Sequence, residues 1–328
     1  MNSRKAPVFV LGSARSGTTL LYHMLLSSGG FAVYRAESHV FNLIVPRFGD
    51  LSDSENRRKL MKMWVRSHQF RVSGLDVQQI EARVMAECRS GGDFLRIVME
   101  EIARKQGVER WAESTPEHLL YLDQIKRELP NAKVIHIIRD GRDVALSYVK
   151  QGWTRPLPWD KQDELLVAGL YWKWIVRKGR ENGRQISPDY MEIHFEDLVI
   201  RPQEVLAKVS DFIDHPLDYD KIQRSAIGSV SKPNTSFEVN SGTNGFNPVG
   251  RWKDNFAPRD LARFEILVGD LLEELGYPLG SNEREKAGAN GVNRFRAAYP
   301  LYFDVKLWLK SRTPLRRLTS TTLLEEGP

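Results

Sequence analysis

The chain has 328 residues, of which 41% are hydrophobic and 27% are charged, and its formal net charge is +6. This composition excludes a disordered or collagen-like chain and fits one large α/β domain with insertions. The single cysteine, Cys88, excludes an internal disulfide, and no apolar run approaches the length of a membrane span, so we expect a cytoplasmic protein without a signal peptide.

The first predicted strand runs into a loop that is punctuated by glycine. Residues 8–11 are apolar, and Gly12 and Gly17 bracket four small or polar residues. The spacing G-x-x-x-x-G-T-T resembles the nucleotide-binding P-loop, but Thr18 stands in place of its lysine and Arg15 supplies the cation. Loop N–H groups and the positive end of the following helix predict a phosphate site. A plain strand-to-helix turn is the alternative.

The segment after the first helix returns the chain to the same edge of the sheet. Glycines end the helix near residue 29, and the apolar residues 31–34 predict a short strand. The end of this strand delivers Glu37 and His39 to the edge where the glycine loop lies. Residues from about 50 to 107 are charged, with apolar positions at helical spacing. This pattern predicts a helical insertion that covers the site.

A continuous apolar run at residues 133–138 predicts a central parallel strand that is buried on both faces. It ends in R-D-G-R-D, where Asp140 is placed to cap the next helix and Arg139 emerges at the strand's carboxyl end. Ser147 lies about two helical turns further on and can face the same side. Arg139 and Ser147 therefore predict a second anion site, separate from the glycine loop. An exposed arginine and an ordinary helix serine are the alternative.

The other predicted elements alternate between strand and helix. We predict strands at 111–115 and 190–198, and helices at 116–129, 160–184, 202–213 and 258–275. Residues 225–248 are rich in Ser, Asn, Gly and Thr, which predicts a long loop. The alternation favours an α/β fold with a parallel sheet flanked by helices.

The end of the chain has a different character. Between Arg294 and Arg317 there are seven lysines or arginines and one acidic residue, Asp304, with aromatic and aliphatic residues interleaved. A basic amphipathic segment of this kind can lie on an anionic membrane surface. A C-terminal helix that docks on the domain is the alternative.

Four motifs occur in order along the chain: the glycine loop with T-T, I-I-R-D-G-R-D-V-A-L-S, F-E-D-L-V-x-x-P, and V-G-R-W-K before the last long predicted helix. With them, residues 7 to 278 resemble the sulfotransferases that use 3′-phosphoadenosine 5′-phosphosulfate (PAPS), in particular the bacterial branch related to tyrosylprotein sulfotransferases. The resemblance implies a P-loop-type central parallel sheet flanked by helices. It also implies a sulfotransferase domain over residues 1–280, with the helical insertion, and a basic C-terminal extension over residues 281–328.

The resemblance assigns the two anion sites to the two ends of PAPS. Five loop residues match those that hold the 5′-phosphosulfate: Arg15, Ser16, Gly17, Thr18 and Thr19. Arg139 and Ser147 match the pair that binds the 3′-phosphate, and Arg251 matches a further basic residue at that phosphate.

Three further residues acquire roles through the resemblance alone. Phe195 falls where the family usually has a tyrosine beside the adenine, and it retains the aromatic face without the hydroxyl. Thr235 and Ser236 lie where a late loop of the family reaches the cofactor, with Ser236 near the bridging sulfate oxygen. Arg15, the loop N–H groups and Ser236 would stabilise charge on the leaving oxygen without a metal.

The transfer also needs a base for the acceptor proton. Glu37 is our prediction, because it follows the second predicted strand and matches the base of the tyrosylprotein enzymes after a one-residue gap. His39 is the rival, since cytosolic sulfotransferases use a histidine. Glu113 and His118 remain candidates near the site, in a stretch E-S-T-P where many relatives have a lysine in place of the serine.

We therefore expect a sulfotransferase that moves the sulfuryl group of PAPS in line to a hydroxyl acceptor, which is a small molecule, a glycan or a lipid. The expected partners are PAPS and this acceptor, with peripheral membrane contact through the C-terminal segment and no nucleic acid. A P-loop kinase is the first rival, which the missing lysine disfavours. A non-catalytic nucleotide-binding, membrane-docking protein is the second.

Overall fold

Four parallel strands form the sheet of the described part of the chain, in the order β2-β1-β3-β4. The computed structural model describes residues 6–225, 248–281, 292–313, 315 and 322–325. The strands are β1 (Val8–Leu11), β2 (Ala112–Glu113), β3 (Lys133–Ile138) and β4 (Tyr190–His194). The predicted α/β fold with a central parallel sheet is confirmed.

Helices occupy most of the rest of the described chain. Those before residue 151 are α1 (Thr18–Ser28), α2 (Val45–Phe48), α3 (Ser54–Trp64), α4 (His68–Ser73), α5 (Val77–Glu87), α6 (Gly91–Lys105), α7 (Leu122–Glu128) and α8 (Gly141–Lys150). Those after it are α9 (Glu164–Gln185), α10 (Phe195–Ile200), α11 (Pro202–Ile213), α12 (Tyr219–Ser225), α13 (Trp252–Asn255), α14 (Pro258–Glu274), α15 (Asn293–Arg312) and α16 (Thr322–Glu325). A π-helix covers Val40–Ile44, and 3₁₀-helices cover Pro116–Tyr121 and Pro158–Asp163.

Strand β1 shows why the sheet reads as uninterrupted apolar runs. Val8 and Val10 belong to one hydrophobic core, which α1 and α11 complete. Phe9 and Leu11 belong to the other core, on the opposite face. Because alternate residues of a strand point to opposite faces, both faces must be apolar when helices cover both.

The carboxyl ends of the four strands meet at one edge of the sheet, because the strands are parallel. The glycine loop follows β1, Thr115 follows β2, Arg139 follows β3 and Phe195 follows β4. Asp140 caps α8 as predicted, because its side chain accepts a hydrogen bond from the Arg142 N–H at 2.9 Å. This edge is where open α/β sheets bind ligands.

Two of the strand predictions need correction. Residues 31–34 form only a single bridge, Phe31↔Arg110, and no strand. Instead, the side chain of Gln106 forms hydrogen bonds with the backbone of Val33. It accepts from the Val33 N–H at 2.7 Å and donates to the Val33 carbonyl at 2.9 Å. The strand predicted at 190–198 ends at His194, where its partner β3 also ends, and Phe195 begins α10.

The helical insertion is present as four helices, α3 to α6, between residues 54 and 105. The helix predicted from Pro116 is confirmed, although its first part is a 3₁₀-helix. The helices predicted over 160–184, 202–213 and 258–275 are confirmed as α9, α11 and α14. The domain boundaries, and the covering of the site by the insertion, stay predictions. The predicted loop at 225–248 lies almost wholly outside the described residues.

The C-terminal segment forms a helix that packs on α9. Phe303 of α15 contacts Tyr171 and Trp174, with ring centroids 5.3 and 5.5 Å apart. Asp304 accepts a hydrogen bond from the Trp174 indole N–H at 3.0 Å. The docked helix, which was the alternative to a membrane-lying segment, is therefore present. Across the described ranges, no helix combines the length and apolar composition needed to cross a bilayer.

Candidate functional site

Both glycines of the first loop are required by close contacts. A Cβ atom on Gly12 would lie 2.4 Å from the Ile137 carbonyl oxygen of β3. Gly17 has a φ of +96°, and a Cβ atom there would lie 2.3 Å from the Phe195 ring. The loop is thus pressed against β3 on one side and against Phe195 on the other, which explains the spacing of its glycines.

The loop presents donors that have no partner within the described chain. Ser16 is 0% exposed, and its hydroxyl has no hydrogen-bond partner among the described residues. Helix α1 begins at Thr18, so the N–H groups of its first turn lack intrahelical acceptors, as in any helix. Buried polar groups are nearly always paired, so the Ser16 hydroxyl indicates a ligand at this loop.

Arg15 connects the loop to the second motif. Its φ of +67° lies in the left-handed region, which a non-glycine residue adopts only where its surroundings impose it. Its Nε donates to the Ser147 hydroxyl at 2.9 Å, and its guanidinium lies 5.6 Å from the ring centre of Trp153. Arg15 of one predicted anion site therefore contacts Ser147 of the other.

Arg139 contacts the same loop, as the prediction of a second anion site there requires. Its Nη1 donates to the Arg15 carbonyl at 3.0 Å and its Nη2 to the Pro248 carbonyl at 2.5 Å. The guanidinium lies 4.5 Å from the ring centre of Phe195, and its Nε has no partner among the described residues. Burial lowers the pKa of Arg139, and the positive charges of Arg251 and Arg15 add to that effect, although Asp143 opposes it. The guanidinium groups of Arg15 and Arg251 thus both lie within electrostatic reach of Arg139.

Arg251 is held by α8. The carboxylate of Asp143 accepts hydrogen bonds at 2.9 Å from the N–H groups of Gly250 and Trp252, the two neighbours of Arg251. The same carboxylate lies 3.7 Å from Arg139. Asp143 belongs to the candidate site and was not predicted from the sequence, although its position one helical turn after Arg139 was a usable signal.

The Phe195 ring packs against the glycine loop. It is 2% exposed and lies between Gly17 and the Arg139 guanidinium. The predicted role of Phe195 beside the adenine stays a prediction. Thr235 and Ser236 lie outside the described residues.

Glu113 and His118 form a closed hydrogen-bonded pair behind the site. Glu113 accepts from the Ser38 hydroxyl at 2.8 Å, from the Thr115 N–H at 3.0 Å and from the Thr115 hydroxyl. His118 Nδ1 lies 3.0 Å from Glu113, and its Nε2 accepts the Phe41 N–H at 3.2 Å. Burial alone would raise the pKa of Glu113, but His118 and the hydroxyl donors outweigh it and hold the pKa at about 2. Both side chains have their polar atoms engaged, and they anchor the residue 38–41 segment to β2.

Glu37 has an accessible carboxylate. Its side chain is 46% exposed, and its Oε2 lies 3.5 Å from His39 Nε2. Desolvation by the surrounding protein, together with the negative charges of Glu113 and Glu117, raises the pKa of Glu37 to about 8. A carboxylate of that pKa can accept a proton near neutral pH. The structure places Glu37 and His39 side by side.

Tyr148 connects the region of the base to the glycine loop. Its hydroxyl is hydrogen-bonded to Ser13, and burial and the charge of Glu117 raise its pKa, while Arg15 lowers it. The side chain is therefore within electrostatic reach of Arg15 and of Glu117, whose charge also acts on Glu37.

Two further observations concern metal sites and cavities. Within the described ranges, no three His, Cys, Asp or Glu side chains come together as a metal site. A cavity of about 780 Å³ lies at the opposite edge of the sheet, lined by residues that include Gly30, Arg110 and His215. It contacts none of the residues of the candidate site.

Two relatives of the chain are protein-tyrosine sulfotransferases. A protein-tyrosine sulfotransferase of Drosophila melanogaster is 23% identical over 288 residues, which are 84% of this chain and 52% of the relative. Protein-tyrosine sulfotransferase A of Caenorhabditis elegans is also 23% identical over 288 residues, which are 85% of this chain and 70% of the relative.

A solved structure supports the fold. The sulfotransferase domain from the curacin biosynthetic pathway superposes with a TM-score of 0.54 at 18% identity, covering 84% of this chain and 99% of the domain. The profile of the sulfotransferase family matches residues 7–219, which contain the glycine loop, β3 with Arg139, and Phe195. Since that match extends over more than half of the 328 residues, the chain belongs to the sulfotransferase family.

Proposed function

We propose that this sulfotransferase moves the sulfuryl group of PAPS to an acceptor hydroxyl, with Arg15 and the glycine loop at the phosphosulfate and Arg139 at the 3′-phosphate. The observation that carries the assignment is a set of buried donors without partners. The Ser16 hydroxyl and Arg139 Nε are buried, and no acceptor among the described residues reaches either. Two anionic groups of one ligand would satisfy both, and this donor set fits PAPS.

The loop and its arginine would stabilise charge on the leaving group. PAPS supplies an activated sulfur–oxygen bond, which breaks as the acceptor oxygen attacks in line. Arg15 and the N–H groups at the start of α1 are fixed before the reaction, so they can receive the growing charge on the 5′-phosphate without reorganisation. Arg139 and Arg251, held together by Asp143, would keep the other end of the ligand in register.

Glu37 would take the acceptor proton. It combines accessibility with a pKa raised to about 8, whereas burial and His118 lower the pKa of His39 to about 4. An imidazole with so low a pKa is a weak base at neutral pH. Glu113 is fully hydrogen-bonded and unsuited to the role. The contributions of Thr235 and Ser236 stay predictions.

The assignment can be tested by binding and by transfer. Isothermal titration with adenosine 3′,5′-bisphosphate should give an affinity that falls at least about tenfold in Arg139→Ala, because a charge-assisted hydrogen bond is lost. Arg58→Ala, which removes an exposed arginine of α3, is the matched control and should bind normally. A screen of alcohols, phenols, glycans and lipids with labelled PAPS then identifies the acceptor. Unchanged affinity in Arg139→Ala, or magnesium-dependent turnover of ATP, would contradict the proposal.

We also propose that α15 rests on an anionic membrane surface. Leu301, Val305 and Trp308 are exposed on one side of α15, although its opposite side is packed on α9. Lys306 and Arg312 flank this apolar stripe and are exposed as well. An apolar stripe with basic neighbours is the pattern of an interfacial helix.

Vesicle sedimentation tests the membrane contact. The protein should sediment with vesicles that contain phosphatidylserine, and weakly with phosphatidylcholine alone, because the basic residues favour anionic lipid. The double variant Leu301→Ser, Trp308→Ser should lose that binding, whereas Val72→Ser, at an exposed apolar residue on α4, should keep it. Failure to sediment with either vesicle contradicts the membrane proposal and leaves the sulfuryl transfer untouched.

A further inference from the structure

The backbone at His39 is held in an uncommon conformation by several hydrogen bonds. Its φ is +51°, in the left-handed region that non-glycine residues seldom adopt. The His39 N–H donates to the Thr115 hydroxyl at 3.2 Å, and its carbonyl accepts from both Leu43 and Ile44 at 3.0 Å. The second of these bonds belongs to the π-helix over Val40–Ile44, a rare element that is frequent at functional sites. These backbone hydrogen bonds therefore fix the direction of the His39 Cα–Cβ bond.

The contacts of the imidazole determine its tautomer. Asn42 Nδ2 lies 3.4 Å from His39 Nδ1 and 3.0 Å from Glu117 Oε2. The opposite orientation of the amide would set its oxygen against the Glu117 carboxylate, so the NH₂ group must face Glu117. An NH₂ group only donates, so Nδ1 is an acceptor and the ring proton lies on Nε2. That nitrogen lies 3.5 Å from Glu37 Oε2.

Two observations show that this orientation is imposed. The Asn42 side-chain oxygen is buried without a partner among the described residues, a cost that the contact with Glu117 offsets. Glu117 is in turn 3.6 Å from Lys310 of α15. Burial alone would raise the pKa of Glu117, but Lys310 and Asn42 outweigh it and lower the pKa, so the group is anionic near neutral pH.

We propose that His39 is a positioning residue for Glu37, oriented by Asn42 and Glu117, and that Lys310 makes the C-terminal helix part of this support. This inference rests on the proposed function, in which Glu37 is the base. Beyond that role, it gives the docked helix α15 a task in the active site. The chain of contacts runs from Lys310 through Glu117, Asn42 and His39 to Glu37.

The charges around Glu37 agree with a neutral His39 that supports a Glu37 base. Burial and His118 lower the pKa of His39 to about 4, so the ring stays neutral and keeps its Nε2 proton near pH 7. Glu113 and Glu117 are the negative charges that raise the pKa of Glu37. Removing the charge of Glu117 should therefore lower that pKa, and removing Lys310, which partly neutralises Glu117, should raise it.

The tautomer can be observed directly by NMR of the full chain with ¹⁵N-labelled histidine. The His39 ring should carry its proton on Nε2 alone from pH 6 to 8, and Asn42→Ala should allow both tautomers. A titration of the Glu37 carboxyl by ¹³C NMR should shift down by about one pH unit in Glu117→Gln and up in Lys310→Met. Lys208→Met, at an exposed lysine of α11, is the control and should leave the midpoint unchanged. A proton on His39 Nδ1, or equal midpoints in all variants, overturns the inference.

Transfer to the probe acceptor 4-methylphenol provides the second readout. His39→Gln keeps an N–H donor at a reach similar to that of Nε2 and should retain most of kcat. His39→Ala should lose about ten- to a hundredfold in kcat, with unchanged affinity for adenosine 3′,5′-bisphosphate, because the base is no longer aligned. Wild-type kcat in His39→Ala, with Glu37→Gln inactive, overturns the inference alone. An active Glu37→Gln, with both His39 variants inactive, overturns the base assignment of the proposed function instead.

Discussion

The ionisation of Glu37 predicts how turnover depends on pH. With a pKa of about 8, the carboxylate is ionised to about 1% at pH 6, about 10% at pH 7 and about 90% at pH 9. The value of kcat/KM, which reports ionisations of the free enzyme, should therefore rise about ninetyfold between pH 6 and pH 9. The assay is transfer from labelled PAPS to 4-methylphenol, whose hydroxyl ionises only near pH 10, as in tyrosine.

The variant Glu37→Gln isolates the carboxylate from other ionisations. It keeps the size and polarity of the side chain but cannot take a proton, so kcat should fall by about two to four orders of magnitude. The remaining activity should no longer rise between pH 6 and pH 9, and binding of adenosine 3′,5′-bisphosphate should be unchanged. A wild-type profile that is flat over this range, or a variant with near-normal turnover, would refute the reasoning.

The same pKa has a consequence for stability that needs no acceptor. A raised pKa means that the folded state binds more protons than the unfolded state between about pH 4.5 and pH 8, so the group's contribution to stability is lost as the pH rises through 8. Glu37→Gln removes this penalty. The melting temperature of the variant minus that of the wild type should consequently be larger at pH 9 than at pH 5. An equal difference at both pH values would show that Glu37 has an ordinary pKa, and the opposite order would show a lowered one; either result contradicts the prediction.

Three further predictions concern the loop and its supports. Gly17→Ala forces a side chain into the Phe195 ring at a φ of +96°, so affinity for adenosine 3′,5′-bisphosphate should fall at least about tenfold by titration calorimetry. Gly107→Ala, at a φ of +68° with nothing within 4 Å, should keep that affinity. Asp143→Asn loses the charge that holds the segment around Arg251, so the same affinity should fall about tenfold with little change in melting temperature. Glu113→Gln should lower the free energy of unfolding in urea by about 3 kcal/mol at pH 7, and the difference should shrink as the pH falls from 4.5 towards 2.

Features that depend on neighbouring residues could be predicted from the sequence. The apolar run of β3, the capping of α8 by Asp140 and the glycine loop before α1 are each determined within a few residues, and each is present. The convergence of Arg139 with the loop followed from one further rule, that parallel strands end at one edge. Its guanidinium indeed contacts the Arg15 carbonyl.

Features that depend on distant contacts could not be predicted in this way. The side chain of Gln106 makes the backbone hydrogen bonds with Val33 that a neighbouring strand would make, and no local sequence pattern identifies Gln106 for that role. Lys310 and Glu117 are nearly two hundred residues apart, and their contact requires the docking of α15 on α9. For this helix, the basic and aromatic pattern left open both a membrane-lying segment and a docked helix, because the sequence does not indicate which of its faces is buried.

In the proposed site, the arrangement of charges offers a reason why the glycine loop needs no P-loop lysine. Arg139 lies within electrostatic reach of Arg15 and Arg251, and the Asp143 carboxylate lies 3.7 Å from Arg139. In the proposed transfer, the 5′-phosphate gains negative charge as the sulfur–oxygen bond breaks, beside Arg15, whose backbone already has the left-handed conformation. The proposed site would therefore complement the charge that develops on the 5′-phosphate in the transition state better than the charge distribution of PAPS. If the same cations hold the bisphosphate product, its release should be slow relative to chemistry and should become faster as the salt concentration rises.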